Sequence, residues 1–433
     1  MTDGPSWLPP LPPKWKVIRL RYLASITTGS GDTQDADGGH YPFIVRSETP
    51  LGSSEYTFDT EAILTAGDGA VGEVFHHITG KFHAHQRVYV LHDFAPFVHP
   101  RFLYRYFSTF FRLMAQDGSA RTTVDSVRRW MLTDLPVAMP PMREQQVIAD
   151  FLDRETAEID AFIADQERLI ELLNERRAGV VSRLILEGAG RHELVSVPDR
   201  PWLGRHPTNW PILPLRAFLT ETNERAGSDW SNLPLLSVSI HAGVIPRAEV
   251  TDRISRAEDF SKYRVCNQGD LALNRMRAFQ GGLGVSGAKG LISPDYMVCR
   301  LSDAVEPTYC HHLLRTPSFV AQMTRALRGL GDAEQGATRT PRINPRDFLR
   351  CVVALPPRVE QVRILRVLEG ELAGVDAVCT ATQEAITLSK ERRAALISAA
   401  VTGQLDVGGR HRALRVSDPP GRVEATKGGE ANG

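Results

Sequence analysis

PPMREQQVIADFLDRETAEID, residues 140–160, returns in altered wording as PPRVEQVRILRVLEGELAGVD, residues 356–376. Gln145 and Gln361, like Asp160 and Asp376, stand 216 positions apart. In both copies two prolines precede Glu-Gln and a run of helix-forming residues. Proline is tolerated where a helix begins, because the N–H it lacks has no intrahelical acceptor there. The spacing predicts one helix start written twice.

Downstream of each start runs a heptad seam, stepping four and three residues in alternation. The first copy reads Leu152, Thr156, Ile159, Ile163, Gln166, Ile170, Leu173, Arg177, Val180 and Leu184. The second reads Leu368, Leu372, Val375, Cys379, Thr382, Ile386, Ser389, Arg393, Leu396 and Ala400. Both are largely apolar, both place a polar residue mid-seam, and both place Arg at the same later step. Such a spacing suits a partner helix. Each helix packing on its own domain is the alternative, but the matched seams favour mutual pairing. Chain order then makes the pair antiparallel, with a globular domain near each end. Gly188 and Gly403 supply the helix stops. About 45 residues at ~1.5 Å each give a rod of ~65 Å, comparable to one or two turns of B-DNA.

The repeat starts before the prolines. WKVIRLRYL from Trp15 matches WPILPLRAF from Trp210 at the tryptophan and at Leu20-Arg21 and Leu215-Arg216. A period this long is a duplicated domain and not a solenoid unit. RVYVLHDF and YMVCRL read as short strands, and PRFLYRYFSTFFRLMAQ and PTYCHHLLRTPSFVAQMTRAL as one or two helices after them. The expected fold is α+β: two mixed, β-rich globular domains with helices, joined by two long antiparallel coiled-coil helices in a pseudo-twofold internal repeat. The expected layout is an N-terminal tail at 1–14, a domain at 15–139, a helix at 140–188 and a linker at 189–204. A second domain follows at 205–355, a second helix at 356–403, and a disordered Gly-, Pro- and charge-rich tail at 404–433.

Lys plus Arg number 51, as do Asp plus Glu, so total charge identifies no partner. Residues 205–355 hold 19 basic against 14 acidic side chains, and residues 140–188 hold 6 against 11. A basic module beside an acidic helix suits a surface that meets a polyanion, though ordinary scatter explains the counts equally well. The cysteines are five, an odd number, with no C-x-x-C pair. That argues against a disulfide framework or zinc knuckle and for a reducing compartment. The start has no signal-peptide pattern, and no stretch approaches the ~18 apolar residues of a membrane helix. The expectation is a cytoplasmic protein with no membrane partner.

Signs of catalysis are weak. GDGAVG at 67–72 fits G-x-G-x-x-G, but the β-like EVFHHITGKF follows it where a dinucleotide site needs a helix, so a turn between strands is expected. SPDY at 293–296 reads as the entry to a strand. His76, His77, His83 and His85 lack a nearby cysteine and read as exposed strand-edge or loop residues, not a zinc site. No nucleophile–base set and no acidic cluster stands out, so neither a catalytic residue nor a metal ligand is assigned.

The chain resembles the specificity subunits of type I restriction–modification systems. The resemblance rests on LPVAMPPMREQQVIADFLDRETAEIDAFIADQERLIELLNERRAGVVSRLILEG and on VVALPPRVEQVRILRVLEGELAGVDAV with LSKERRAALISAAVTGQLD. GDLALNRMRAFQGGLGVSGAKGLISPDY from Gly269 looks like a target recognition domain, and GDGAVGEVFHHITGKFHAHQRVYVL like another version of it. The likeness spans roughly residues 15–405, and the second helix departs from the first in reading ILRVLEG for IADFLDR. The resemblance implies a non-catalytic subunit whose two recognition domains each read half of a bipartite double-stranded DNA site across a fixed gap. It implies two modification subunits that bind S-adenosylmethionine and methylate adenine, and restriction subunits that use ATP and Mg. No cofactor is expected on this chain. Alternatives are a specificity subunit of a methyltransferase-only or related system, a self-contained methyltransferase or nuclease, and a scaffold with no DNA role.

Candidate DNA contacts are Lys81, His85, Gln86, Arg87 and Arg121 in the first domain. In the second they are Asn274, Arg275, Arg277, Gln280, Lys289, Arg339, Arg342 and Asn344. Arg can grip guanine by two bonds and Asn or Gln adenine, although half or more of such contacts go to the DNA backbone. Candidate subunit-interface residues are Glu144, Gln145, Glu175, Arg176 and Arg177, with Glu360, Gln361, Glu391, Arg392 and Arg393.

Overall fold

The computed structural model describes residues 7–69, 71–117, 126–240, 242–249, 259–328 and 342–407. The chain forms two compact units, Met1–Glu167 with Gln383–Gly433, and Arg168–Thr382. Each unit contains one β-rich domain and part of each long helix.

The first unit carries β1 (Lys16–Arg19), β2 (Ser25–Thr28), β3 (Tyr41–Ile44), β4 (Leu51–Ser53), β5 (Phe58–Ala66), β6 (Phe75–Ala84) and β7 (Val88–His92). Helices α1 (Pro100–Asp117) and α2 (Arg129–Thr133), strand β8 (Pro136–Met139) and the long helix α3 (Met142–Glu187) follow. Strands β2 to β7 make one sheet in the order β2-β7-β5-β6-β3-β4, antiparallel except for β3 against β6. Strands β1 and β8 pair antiparallel, Lys16 opposite Met139 and Arg19 opposite Pro136, so the domain closes on itself just before the prolines. Phe102, Tyr106 and Phe110 recur every four residues beside Leu103, Phe107 and Phe111, and this face of α1 is buried in the core. Phe75 of β6 meets Phe107 edge-on at 5.4 Å. The Tyr106 hydroxyl donates to the Pro136 carbonyl at 2.9 Å, which satisfies a phenol whose pKa burial pushes up.

The second unit carries β9 (Leu194–Val195), β10 (His206–Pro207), β11 (Ile212–Pro214), β12 (Leu219–Thr222), β13 (Leu236–Ser239), β14 (Gly243–Pro246), β15 (Arg264–Cys266) and β16 (Leu271–Leu273). β17 (Leu283–Val285), β18 (Gly290–Ile292), β19 (Met297–Leu301), α4 (Pro307–Leu314) and α5 (Pro317–Arg325) come next. β20 (Leu327–Arg328), β21 (Arg342–Ile343), α6 (Pro345–Arg350), β22 (Val352–Ala354) and the long helix α7 (Arg358–Val401) complete the elements of the described residues. The four-stranded order β12-β19-β16-β17 repeats the order β2-β7-β5-β6, and β11 pairs with β22 as β1 does with β8. The duplication read from the tryptophans and prolines is thus a duplication of topology.

Just past the ends of the two long helices Gly188, at φ +84°, and Gly403, at φ +71°, lie in the left-handed region. Every seam position except Arg177 is buried or half-buried. Within the first unit Asp160 pairs with Arg393 (2.8 Å) and Glu167 with Lys390 (3.6 Å). Within the second, Arg177 pairs with Asp376 (2.8 Å) and Arg183 with Glu371 (2.8 Å). Numbers rise on α3 as they fall on α7, so the helices run antiparallel in each unit. Each Asp–Arg pair joins the aspartate of one copy to the arginine of the other.

Three expectations need revision. Residues 7–14 are no tail where described: Trp7 stacks on Phe110 at 5.2 Å, and Leu8 and Leu11 pack on the core. Residues 404–407 are also anchored, with Gln404 donating to the Pro10 carbonyl at 2.8 Å and Val407 buried. Residues 408–433, expected to be disordered, lie outside the described residues. His83 and His85 are buried and not at an exposed edge, because the β6 end enters the sheet beside Phe43. As expected, GDGAVG lies between β5 and β6, and SPDY leads into β19. Among the described residues no helix is long and apolar enough to cross a membrane.

All five cysteines are free, and Cys266, Cys299, Cys310 and Cys351 are buried. Burial pushes the Cys266, Cys310 and Cys351 thiols up to about 12, so they pack as neutral groups.

The crossed pairs give a direct test of helix direction. Arg177→Asp sets two carboxylates together and is expected to cost up to about 1 kcal/mol, the scale of a half-exposed pair. Adding Asp376→Arg restores most of that loss in urea unfolding of the full chain. No recovery in the double variant would refute the pairing.

Candidate nucleic-acid interface

In the first unit the turn after β5 presents Asp68, which accepts from Arg46 and Arg87, each at 2.7 Å. Burial works to raise the Asp68 pKa, but the two guanidiniums hold it below the usual carboxylate range. Arg87 remains exposed beside the exposed Gln86. His85 is buried, its Nδ1 accepting from the Arg87 amide at 3.1 Å. Lys81, on β6, lies 4.4 Å over the Tyr56 ring, and Tyr56 tilts against Tyr41 at 4.9 Å. A cation on an aromatic face leaves both edge and charge available to a base or phosphate. Arg121 lies outside the described residues.

In the second unit the connection from β16 to β17 folds into a compact turn. Asn274 is buried at its base, its Nδ2 donating to the Tyr296 hydroxyl (3.1 Å) and its Oδ1 accepting from the Met276 amide (3.1 Å). Gly282 is pressed against this turn, since a Cβ there would sit 2.8 Å from the Arg277 carbonyl. Arg275 ties the turn to β21 through Nε to the Ile343 carbonyl at 3.2 Å. Burial first, then the charge of Arg342, lowers the Arg275 pKa. Arg277 and Arg247 in turn bear on Tyr296, whose pKa burial raises. Arg247 and Arg277 thus lie near Tyr296, and Arg342 lies near Arg275. Among the described residues Arg247, Arg277 and Arg342 have no acidic partner. Unpaired guanidiniums that repel one another are relieved by a polyanion.

Other candidates fall elsewhere. Gln280 is exposed on the same turn as Arg277, and Lys289 is exposed on the separate turn between β17 and β18. Asn344 caps α6, accepting from the Arg346 amide at 3.1 Å. Arg339 lies outside the described residues. Arg46, Arg247 and Tyr56 were not singled out in the sequence, and Tyr296 only within SPDY as a strand entry; their spatial neighbours mark them.

On the helices, Glu144, Glu175, Arg176, Glu391 and Arg392 are exposed. Arg177 and Arg393 form the crossed pairs, and Glu360 lies 3.7 Å from His192 and 3.6 Å from Arg363. Gln145 and Gln361 are 1% and 0% exposed, so their side chains act inside the molecule and offer no surface to a partner.

A duplicated β-rich domain, with unpaired arginines in its second copy, set on the starts of two long helices, gives a scaffold with a surface suited to a polyanion. Residues 12–172 match the family model of the type I restriction modification DNA specificity domain. The chain is 24% identical over 413 residues to the type I restriction enzyme EcoDI specificity subunit of Escherichia coli, covering 91% of this chain and 89% of that one. It is 23% identical over 312 residues to the EcoKI specificity subunit of Escherichia coli strain K12, covering 69% and 64%. A solved chain from a study of complex assembly and conformational transition of the type I R-M system shares the fold, with TM-score 0.60, 16% identity, and coverage of 92% and 100%. Residues 12–172 thus match the DNA specificity domain of type I restriction modification systems, and along most of its length the chain is similar to specificity subunits of type I restriction enzymes.

The positive charge at neutral pH belongs to arginine and lysine. Burial lowers the pKa of His85, with the charge of Arg46 adding to it. On α4 burial, with His312 and Arg315, takes His311 down to about 4, and its Nδ1 accepts from the Val285 amide at 3.3 Å. The unfolded chain protonates this histidine near pH 6.5 and the folded chain only near 4. Its contribution is therefore complete above pH 6.5 and lost as pH falls toward 4. His311→Asn, which keeps an acceptor for Val285, is expected to flatten the fall in stability between pH 6.5 and 4.5. Equal slopes in urea unfolding of the two proteins would refute this.

Proposed function

We propose that this chain reads a two-part double-stranded DNA sequence, one half with each β-rich unit, and carries two modification subunits on its helices. The observation that carries the reading is the duplicated topology, in which two like domains each join a long helix through the same Pro-Pro-x-x-Glu-Gln start. Each domain carries its own set of exposed cations, which suits phosphates and base edges. Arg277 and Gln280, exposed on a turn that Asn274 holds rigid, are assigned to base edges, and Arg342 to phosphate. In the first unit Arg87, Gln86 and Lys81, with Arg46, take the corresponding roles. The working compartment is the cytoplasm. S-adenosylmethionine belongs to the modification subunits, and ATP with Mg to restriction subunits that join them.

The experiment is to assemble the full chain with its modification subunit and map the adenines it methylates. Replacing residues 16–139 with the matching segment of another family member is expected to change one half of the site and leave the other. Arg277→Ala is expected to relax one position of the unchanged half, at about 1–3 kcal/mol of discrimination. A swap that alters both halves or neither sinks the reading.

Two equivalent docking faces support a pair of modification subunits. In the first unit Phe162 of α3 and Leu388 of α7 are exposed and line a groove with Ile159 and Ala385. The same repeat positions in the second unit, Val378 and Leu172, are exposed as well. Large apolar side chains repeated at matching solvent-facing positions are the mark of a protein contact. Leu388→Asp and Leu172→Asp are each expected to reduce two bound modification subunits to one in native mass spectrometry, and the double variant to none. Retention of both subunits by the double variant would remove these faces from the interface.

A further inference from the structure

The joint between each domain and its helix is built on one buried carboxamide. Gln145 accepts at Oε1 from the His99 amide (2.7 Å) and donates through Nε2 to the Phe97 and Pro140 carbonyls (2.9 Å each). Gln361 accepts from the Glu306 amide (2.8 Å) and donates to the Ala304 and Pro356 carbonyls (3.0 and 2.8 Å). Each glutamine therefore ties three segments together: the loop entering α1 or α4, the Pro-Pro, and the first turn of the long helix. Hydrogen bonds are directional, so three to one planar group fix the angle at which the helix leaves its domain.

That angle has leverage. Helix α3 has 46 residues, or ~69 Å at ~1.5 Å per residue. A tilt of ~3° at its base displaces its far end by ~3.6 Å, about one base-pair step of ~3.4 Å. We propose that Gln145 and Gln361 are positioning residues that set the number of base pairs between the two half-sites, an inference that rests on the two-part reading proposed above.

The joints are unequal. In the first, Arg101 bonds Asp150 (2.7 Å) and Asp153 (2.6 Å), and Arg105 bonds Asp153 (2.9 Å) and Thr156 (3.2 Å), so α1 grips α3 a second time. Counted from His99 and Glu306, whose amides the glutamines hold, α4 offers Thr308 and His312 at the matching positions. α7 offers Arg366 and Glu369, and among the described residues no ion pair links these α4 and α7 positions. The second joint depends more heavily on its glutamine.

The test maps adenine methylation by the full chain assembled with its modification subunit. Gln361→Met keeps the length and volume but has neither donor nor acceptor. It is expected to leave both half-site sequences unchanged and to raise methylation of sites one base pair longer or shorter in the gap at least tenfold. Gln145→Met relaxes the gap less, and adding Arg101→Ala and Arg105→Ala brings it to the level of Gln361→Met. A change in thermal stability alone, with the gap as strict as in the unaltered protein, overturns the proposal. If Gln361→Met does not fold, the first-joint variants decide the matter by the same criterion. Failure of the two-part reading is distinguishable, because it shows in the map of the unaltered protein before any substitution is made.

Discussion

A carboxamide sealed from water brings two N–H donors and a carbonyl acceptor that must all find partners, since each orphaned group costs about 1–3 kcal/mol. At Gln145 and Gln361 those partners are main-chain groups of the loop before α1 or α4 and of the Pro-Pro itself. Glutamate would offer no donor to the two carbonyls, and leucine would leave three polar groups bare. The rest of each unit follows from this arrangement. The closing ladder brings the chain to the prolines, the glutamine clasps the loop before α1 or α4, and the helix departs in one direction. Because both units use the same clasp, the antiparallel run of α3 against α7 within each unit is built from equivalent parts.

What the sequence makes legible is whatever repeats over short distances. The seam positions, the glycine stops and the Pro-Pro starts are local patterns, and the structure has them where the spacing put them. Gln145 was visible as a motif but was read as partner-facing, because Phe97 and His99 lie more than forty positions away and no periodicity connects them. Residues 7–14 looked like a tail for the same reason, since Gln404, which holds Pro10, is nearly four hundred positions distant. Arg277 and Gln280 could be picked from composition, whereas Asn274 and Asn344 could not be separated from them, because hydrogen bonding to a neighbouring amide leaves no trace in the choice of asparagine. The parallel placement of β3 against β6 had no local signal either.

The electrostatics divide the labour among residue types. Histidines are drawn into the folds of both domains, where burial keeps His85 and His311 neutral at pH 7. The guanidiniums of Arg46, Arg87, Arg277 and Arg342 stay exposed, and the domain faces therefore hold their charge across the physiological range. On the helices, arginine is used differently. Arg177 and Arg393 are spent on the aspartates of the opposite copy, which tells each helix which way its neighbour must run.

The division of the chain into units also orders its synthesis. The second unit is one continuous stretch, Arg168–Thr382, whereas the first draws Ile397, Ala400, Val401 and Val407 into its core from the other end of the chain. A ribosome adding ~5–20 residues per second takes a few seconds to extend from Thr382 to Val407. During that interval the later-made unit can already be closed, while the earlier-made one still exposes the apolar base of α1 and α3. The first domain to leave the ribosome is thus the last to be finished, and the growing chain must keep that surface from aggregating until its own final helix arrives.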